Sequence, residues 1–271
     1  MAGTADISGR KAIFITGAAS GMGLETARLF AAHGWFIGAY DVNGPALAAL
    51  EAELGAESGL FRPLDVTDRA AYQAELERFA EATGGRLDLL FNNAGIGRGG
   101  PFADMAFEDV IAVVQVNLMG VLIGIHAALP LLRATPGSLC FTTSSSSATF
   151  GIPGIAVYSA TKHAVKGLSE ALSVEFKAYG VRVADTLPGM IDTPILPEPA
   201  KANAPKDGMF RLLPATAVAE AVWAAYHDTT GKLHWYVPGE LHQLDLAATS
   251  TQEAVRDQIA AGGLLTFNSP N

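Results

Sequence analysis

Residues 11–24 read Lys11-Ala12-Ile13-Phe14-Ile15-Thr16-Gly17-Ala18-Ala19-Ser20-Gly21-Met22-Gly23-Leu24. A short β-branched and aromatic run passes directly into a glycine-bearing turn, and the turn into a helical pattern that continues to His33. A strand–turn–helix step of this kind is where a pyrophosphate can sit. Glycines let the backbone come close, and the free N–H groups of the helix N-terminus attract an anion. Gly17, Ser20, Gly21, Met22 and Gly23 are the candidate residues of that turn. A second strand, Trp35–Tyr40, runs into Asp41 and Val42. A carboxylate at that distance accepts hydrogen bonds from ribose hydroxyls and repels a 2′-phosphate. No Arg or Lys stands at Ala18, Ala19 or Val42 to offset it, so a dinucleotide bound here is expected to be NAD rather than NADP.

The same alternation continues along the chain. Strand patterns at Lys11–Thr16, Trp35–Tyr40, Gly59–Leu64, Leu87–Phe91, Ser138–Thr143, Val181–Leu187 and Leu233–Val237 are separated by helical patterns of crossover length. Those helices are expected at Gly21–His33, about 45–54, Asp68–Thr83, Val110–Leu132, Ala156–Tyr179 and Pro214–His227. Strands alternating with helices predict an α/β fold: a doubly wound parallel sheet covered by helices on both faces. Residues 1–239 read as one domain, with an irregular proline-rich segment at 188–214 that suits a substrate loop. Residues 240–271 form a C-terminal extension with a helix expected at about 251–261, either part of the same domain or a subunit contact.

Composition narrows the function classes. The 271 residues are 49% hydrophobic and 17% charged, which excludes a disordered chain. Asp and Glu outnumber Lys and Arg by 27 to 18, so no basic face points to nucleic acid. The single cysteine, Cys140, lies in an apolar run and reads as a buried hydrophobe. No His-Glu-x-x-His spacing marks a metal, and no Gly-x-Ser-x-Gly elbow marks a serine hydrolase. Val110–Leu132 is long enough to span a bilayer, but Gln115, Asn117, His126 and Pro130 interrupt it, and it reads as a buried helix. Without a basic and apolar leader at Met1–Asp6, a cytoplasmic protein without membrane or nucleic-acid partners is expected.

Further along lie Asn92-Asn93-Ala94-Gly95 after the fourth strand, Asn117 in the next helix, and Ser145 thirteen residues before Tyr158. Then come Tyr158-Ser159-Ala160-Thr161-Lys162 and Pro188-Gly189-Met190-Ile191-Asp192-Thr193. Together with the Gly-x-x-x-Gly-x-Gly spacing of the turn, these motifs resemble the short-chain dehydrogenase/reductase family over about residues 8–239. The resemblance implies a Rossmann fold and an NAD-dependent oxidoreductase that interconverts a secondary alcohol and a ketone. It further implies cofactor contacts from Asp65, Val66, Asn92, Asn93, Ala94, Gly95, Tyr158, Lys162, Pro188, Gly189, Ile191 and Thr193.

The chemistry fits those residue types. Oxidation needs a base for the hydroxyl proton, and tyrosine, with a reference pKa of about 10, needs help to act near neutrality. Lys162, one helical turn after Tyr158, is expected to lower it together with the positive nicotinamide ring. The resemblance gives Lys162 a second task at the nicotinamide ribose, has Ser145 steady the substrate oxygen, and has Asn117 hold a water that relays protons to Lys162. Within Ser144–Ser147 the register of the catalytic serine is open, with Ser144 the rival of Ser145. A catalytically idle NAD-binding sensor on the same fold is the alternative.

By the same resemblance, the small-molecule substrate meets Ser145, Ser147, Ile96, Phe150 and Ile152 on one side. Met190, Leu196, Met209 and Phe210 come from the other side. That apolar lining favours a medium-sized apolar, alicyclic or aromatic alcohol; Arg98, Lys201, Lys206 and Arg211 leave an anionic substrate in view, although each reads first as a solvated surface charge. In relatives the helices corresponding to 107–132 and 156–179 pair subunits, which implies a homo-oligomer, dimer or tetramer.

Overall fold

A computed structural model describes residues 9–250 of the chain. In chain order the strands are β1 (Ala12–Thr16), β2 (Phe36–Asp41), β3 (Gly59–Pro63), β4 (Leu89–Asn92), β5 (Leu139–Thr143), β6 (Arg182–Pro188), β7 (Ile191–Asp192), β8 (Leu213–Pro214) and β9 (His234–Val237). The helices are α1 (Gly21–Ala32), α2 (Gly44–Leu54), α3 (Arg69–Thr83), α4 (Phe107–Val114), α5 (Gly120–Ala134), α6 (Ala156–Glu175), α7 (Glu198–Ala202), α8 (Thr216–His227) and α9 (Leu241–Ser250). Seven strands form one parallel sheet in the order β3-β2-β1-β4-β5-β6-β9. The chain winds outward from β1 to β3, then returns to the far side of β1 at β4. That reversal opens a crevice beyond the carboxyl ends of β1 and β4.

The central strands are apolar on both faces because both are covered. In β1 every residue is buried, and the period of two divides them. Ile13 and Ile15 join Phe30, Phe91, Phe141 and Val222 on the side of α1 and α8. Ala12 and Phe14 join Tyr72, Phe79, Leu132 and Val165 on the side of α3, α5 and α6. Phe14 stacks on Tyr40 and Tyr72 at centroid distances of 4.0 and 5.5 Å, which fixes α3 over the sheet.

All seven expected main-sheet strands are present, each within two residues of the expected ends. The apolar helix begins earlier, at Phe107, and runs to Ala134 with a π-helical turn at Gln115–Met119 joining α4 to α5. Among the described residues it is the one helix long and apolar enough to cross a membrane. Its stripe of Val113, Asn117, Val121, Ile125, Ala128 and Leu132 is nevertheless buried against this domain. Gly124 permits the approach: a Cβ there would come within 2.5 Å of Asn92 Oδ1 and 2.6 Å of the Tyr72 hydroxyl.

The proline-rich stretch is more ordered than expected. Ile191–Asp192 and Leu213–Pro214 pair as a small second sheet, and α7 lies between them. Pro214 belongs to that pairing, so α8 starts at Thr216 instead. After β9 and a short turn at 238–240, α9 follows, a helix that sequence patterning missed. The helix expected at about 251–261 lies outside the described residues.

The amino ends of the strands are tied by Asp88. It accepts from the Ala12 N–H at 2.9 Å, from Arg86 Nε and Nη2 at 2.6 and 2.7 Å, and from the Tyr226 hydroxyl of α8 at 3.3 Å. Replacing Asp88 by Ala leaves the buried Ala12 N–H without an acceptor. This is expected to cost about 1–3 kcal/mol, read as a lower urea midpoint. The crevice at the opposite sheet end should keep its ligand affinity in the folded variant; an unchanged midpoint would show that the tie carries no stability.

Candidate active site

A cleft of about 420 Å³ opens where the strand order reverses. One end is walled by the turn after β1 (Gly17, Ser20, Gly21, Met22) together with Asp41, Val42, Leu64, Asp65 and Val66. The turn is closely fitted. Gly21 takes φ +52°, and a Cβ there would lie 2.8 Å from Thr193 Cγ2. Gly23 is not on the wall; it packs beneath, where a Cβ would fall 2.1 Å from the Gly17 carbonyl oxygen. No side chain caps α1 at Ser20, so the first-turn N–H groups stay available to a ligand. Asp41 staples the turn to β2, with Oδ2 accepting from the Ala19 N–H and Oδ1 from the Asn43 N–H, both at 3.0 Å.

Asn93 joins the walls. Its Nδ2 donates to the carbonyls of Thr16 and Gly17 at 3.1 and 3.2 Å, and its Oδ1 accepts from the Thr143 hydroxyl at 3.2 Å. The Thr16 hydroxyl in turn accepts from the N–H groups of Asn93 and Ala94 at 3.0 and 3.1 Å.

Tyr158 and Lys162 stand one turn apart on α6 and both reach the middle of the cleft. Ser145 is the polar neighbour of the Tyr158 hydroxyl, and its Oγ accepts from the Ser147 N–H at 3.1 Å. Ser144 turns the other way and donates to the Lys162 carbonyl at 3.0 Å. Of the two serines, Ser144 secures α6, and Ser145 is the neighbour of Tyr158. Lys162 Nζ donates to the Thr143 carbonyl at 2.7 Å and lies 5.6 Å from the Tyr158 ring centre. Burial pushes the Lys162 ammonium down to about 8. Burial also pushes Tyr158 up, partly offset by Ser145 beside it. The expectation that Lys162 lowers the Tyr158 pKa is therefore not met by the protein alone, because both side chains lie where solvent cannot support their charges.

Asn117 occupies the π-helical turn and is fully buried. Its Oδ1 accepts from the Ile96 N–H at 2.8 Å, and its Nδ2 donates to the Ile96 carbonyl at 2.9 Å. It does not line the cleft, and both of its polar side-chain atoms are engaged by Ile96. Its side chain thereby anchors the segment after Gly95.

Of the other expected residues, Asn93, Ala94, Gly95, Ile96, Pro188 and Thr193 line the cleft. Asn92, Gly189 and Ile191 do not. Asn92 is buried against Tyr72, Gly189 faces Leu241, and Ile191 belongs to the core. Among the residues expected around a substrate, Ser145, Ser147, Phe150, Ile152, Met190, Leu196, Met209 and Phe210 lie outside the cleft walls. Ile152 and Phe210 are exposed and Ser147 is buried. Leu64, Gly97, Val116, Thr143 and Pro194 line the cleft but were not singled out beforehand. Thr143 was accessible to reasoning, since it ends a central parallel strand, where ligands of such sheets gather.

Residues 11–204 match the short chain dehydrogenase family. Cyclohexanol dehydrogenase of an Acinetobacter species is 33% identical over 244 residues, 89% of this chain and 95% of that protein. Trans-4-hydroxycyclohexanecarboxylate dehydrogenase of Sinomonas cyclohexanicum is 35% identical over 207 residues, 72% of this chain and 78% of its own. Among solved structures, a short-chain dehydrogenase/reductase from Burkholderia phymatum in complex with NAD superposes with a TM-score of 0.77 at 27% identity, covering 97% of this chain and 98% of that one. The chain belongs to the short-chain dehydrogenase/reductase family and is an oxidoreductase on a Rossmann fold.

Proposed function

We propose that the protein is an NAD(H)-dependent dehydrogenase that interconverts a cyclic secondary alcohol and its ketone, with Tyr158 moving the hydroxyl proton. The observation that carries this reading is Tyr158 next to Ser145 and one helical turn before Lys162, with Tyr158 and Lys162 lining the same cleft as an uncapped helix N-terminus. The names of the relatives support a cyclic alcohol.

The chain's own groups fit a dinucleotide. The first-turn N–H groups of α1, free of any side-chain cap, suit its phosphates. Asp41 suits the adenosine ribose and disfavours a 2′-phosphate; Asp65 and Val66 flank that end, and Lys162 suits the second ribose. When bound, the nicotinamide supplies the acceptor for the hydride leaving the alcohol carbon.

Ser145 then orients the substrate oxygen and supports its charge, while the neighbouring Tyr158 hydroxyl exchanges the proton with that oxygen. Lys162, fixed by the Thr143 carbonyl, places a positive charge beside Tyr158 when protonated. Asn117 keeps Ile96 and Gly95 in place beside Lys162, whose Nζ lies 3.9 Å from where a Gly95 Cβ would be. Phe107 and Ile111 of α4 and Val174 of α6 are exposed, in keeping with a cytoplasmic homo-oligomer.

Tyr158→Phe is expected to lower kcat by about 10²–10⁴ while leaving NADH affinity nearly intact. Wild-type turnover in the purified variant would remove Tyr158 from the proton step. Binding titrations should give a lower Kd for NADH than for NADPH, and Asp41→Ala should narrow that gap; tighter NADPH binding by the wild type would overturn the NAD assignment. Lys162 gives a signed pH prediction. Its folded value of about 8 lies below the ordinary lysine range, so the unfolded chain binds more protons between the two values. Lys162 thus weakens the unliganded fold below about pH 8, and that penalty fades as pH rises toward the unfolded value. Urea melts of unliganded wild type and Lys162→Met should differ most at neutral pH, the variant being the more stable, and converge above pH 10. A pH-independent difference would show that burial does not set the Lys162 charge.

A further inference from the structure

Apart from Lys162, the cleft is lined by one other cationic side chain, Arg98, among the described residues. The lining also includes the apolar Ile96, Val116, Pro194 and Ile195, of which Ile195 lies against Gly97, next to Arg98 in the chain. Arg98 is placed by its neighbours. Two residues before it, both backbone polar groups of Ile96 are held by Asn117. Two residues after it, the Gly100 N–H donates to the Gly154 carbonyl at 2.8 Å. Between them Gly97 lies so close to the substrate loop that a Cβ would come within 3.1 Å of Ile195 Cγ1. The guanidinium therefore emerges from a short span anchored at both ends, beside the apolar end of the cleft.

Only a small part of its bonding capacity is used. Nε donates to Asp109 Oδ1 at 3.1 Å, and both side chains of that pair are about half exposed, 54% and 47%. An exposed pair of this kind contributes about 0–1 kcal/mol. It orients the group without neutralising its binding potential. The two Nη groups, whose parallel N–H bonds match a carboxylate edge, have no acceptor among the described residues. An arginine with its terminal fork open, in a cleft that also offers the apolar side chains of Ile96 and Ile195, fits a ligand that is apolar through its body and anionic at one end. A phosphate ester would also satisfy the fork, but Ile96, Val116 and Ile195 favour a compact hydrocarbon ring over a sugar.

We propose that Arg98 is the specificity determinant of the substrate end and that the substrate is a cyclic secondary alcohol, or its ketone, bearing a carboxylate that the Arg98 fork receives. This rests on the dehydrogenase reading above and narrows its substrate class.

The test has a binding arm and a turnover arm. In the first, cyclohexanecarboxylate and its neutral amide are titrated calorimetrically into NADH-loaded protein, wild type, Arg98→Gln and Arg98→Lys. The wild type should bind the carboxylate about tenfold or more tighter than the amide, as for a charge-assisted bond pair. Arg98→Gln should bring the two ligands level, and Arg98→Lys, which keeps the charge without the fork, should fall between. In the second arm, kcat/KM is compared for cyclohexanol and 4-hydroxycyclohexanecarboxylate, and the ratio favouring the acid should collapse in Arg98→Gln. Equal binding of acid and amide by the wild type, or a preference that survives Arg98→Gln, would overturn the assignment of Arg98. Turnover of cyclohexanol without any preference for the acid would overturn the substrate class and leave the dehydrogenase standing. Arg98-dependent carboxylate binding with neither alcohol oxidised would overturn the dehydrogenase reading, and with it the substrate role, while the anion site stood.

Discussion

The side chain of Asn93 holds three strand ends in register. β1, β4 and β5 carry the phosphate turn, the Asn-Asn-Ala-Gly segment and the approach to Ser145, and only neighbouring ladder bonds join them lower down. At their carboxyl ends the ladder stops, and the reversal of strand order would leave them free to splay. Asn93 closes that gap, with its amide nitrogen on Thr16 and Gly17 and its amide oxygen on Thr143. Thr143 in turn offers its carbonyl to Lys162. A continuous path of hydrogen bonds thus connects the glycine turn to the lysine of α6. Misplacing the turn by a fraction of a bond length would be felt at Lys162.

Burial governs what Tyr158 and Lys162 can do. In water, a lysine one turn from a tyrosine would lower the tyrosine pKa through charge. Here the same helix face is enclosed, so desolvation acts on both groups in opposite directions and keeps both closer to neutral. Such a site is easily charged by a neighbour, because little solvent is present to screen it. The positive nicotinamide ring of an oxidised cofactor is a neighbour of the sign needed to favour tyrosinate.

The sheet was legible because parallel strands buried on both faces are short continuous apolar runs, and Ala12–Thr16, Leu89–Phe91 and Leu139–Phe141 are such runs. The turn, Tyr158 and Lys162 were legible because their spacing along a strand–helix step or one helix face fixes their geometry locally. What failed was non-local. Pro214 pairs with a strand more than twenty residues away, so no helix start could be read there. Asn117 bonds across to Ile96, twenty-one residues earlier, and nothing in the apolar pattern of its own helix reveals that its amide is already engaged. The substrate end suffered most. Residues such as Phe150, Met209 and Phe210 were chosen for being apolar in the right segments, but which of them faces the cleft is decided by how two loops fold over each other. Arg98 shows the converse case: an arginine in a loop reads as a solvated charge until the anchors on both sides of it are seen.

Asp41 joins structure to cofactor choice in one carboxylate. Each of its oxygens already accepts one backbone N–H, from Ala19 in the phosphate turn and Asn43 at the start of α2. A carboxylate has about four acceptor positions, so these two bonds leave capacity for ribose hydroxyls. They also mean that the carboxylate proposed to disfavour a 2′-phosphate is the one that holds the turn against β2. Exchanging Asp41 for a cationic side chain would remove a repulsion and, at the same step, release the Ala19 N–H and loosen the turn that must hold the pyrophosphate. Val42 has no such double duty: it is 72% exposed, lines the cleft beside Asp41, and has no polar side-chain atom to lose. The physical route to accepting a 2′-phosphate therefore runs through Val42, with Asp41 neutralised by an amide that keeps an acceptor for Ala19. Replacing the acid outright would trade cofactor choice against the geometry on which either cofactor depends.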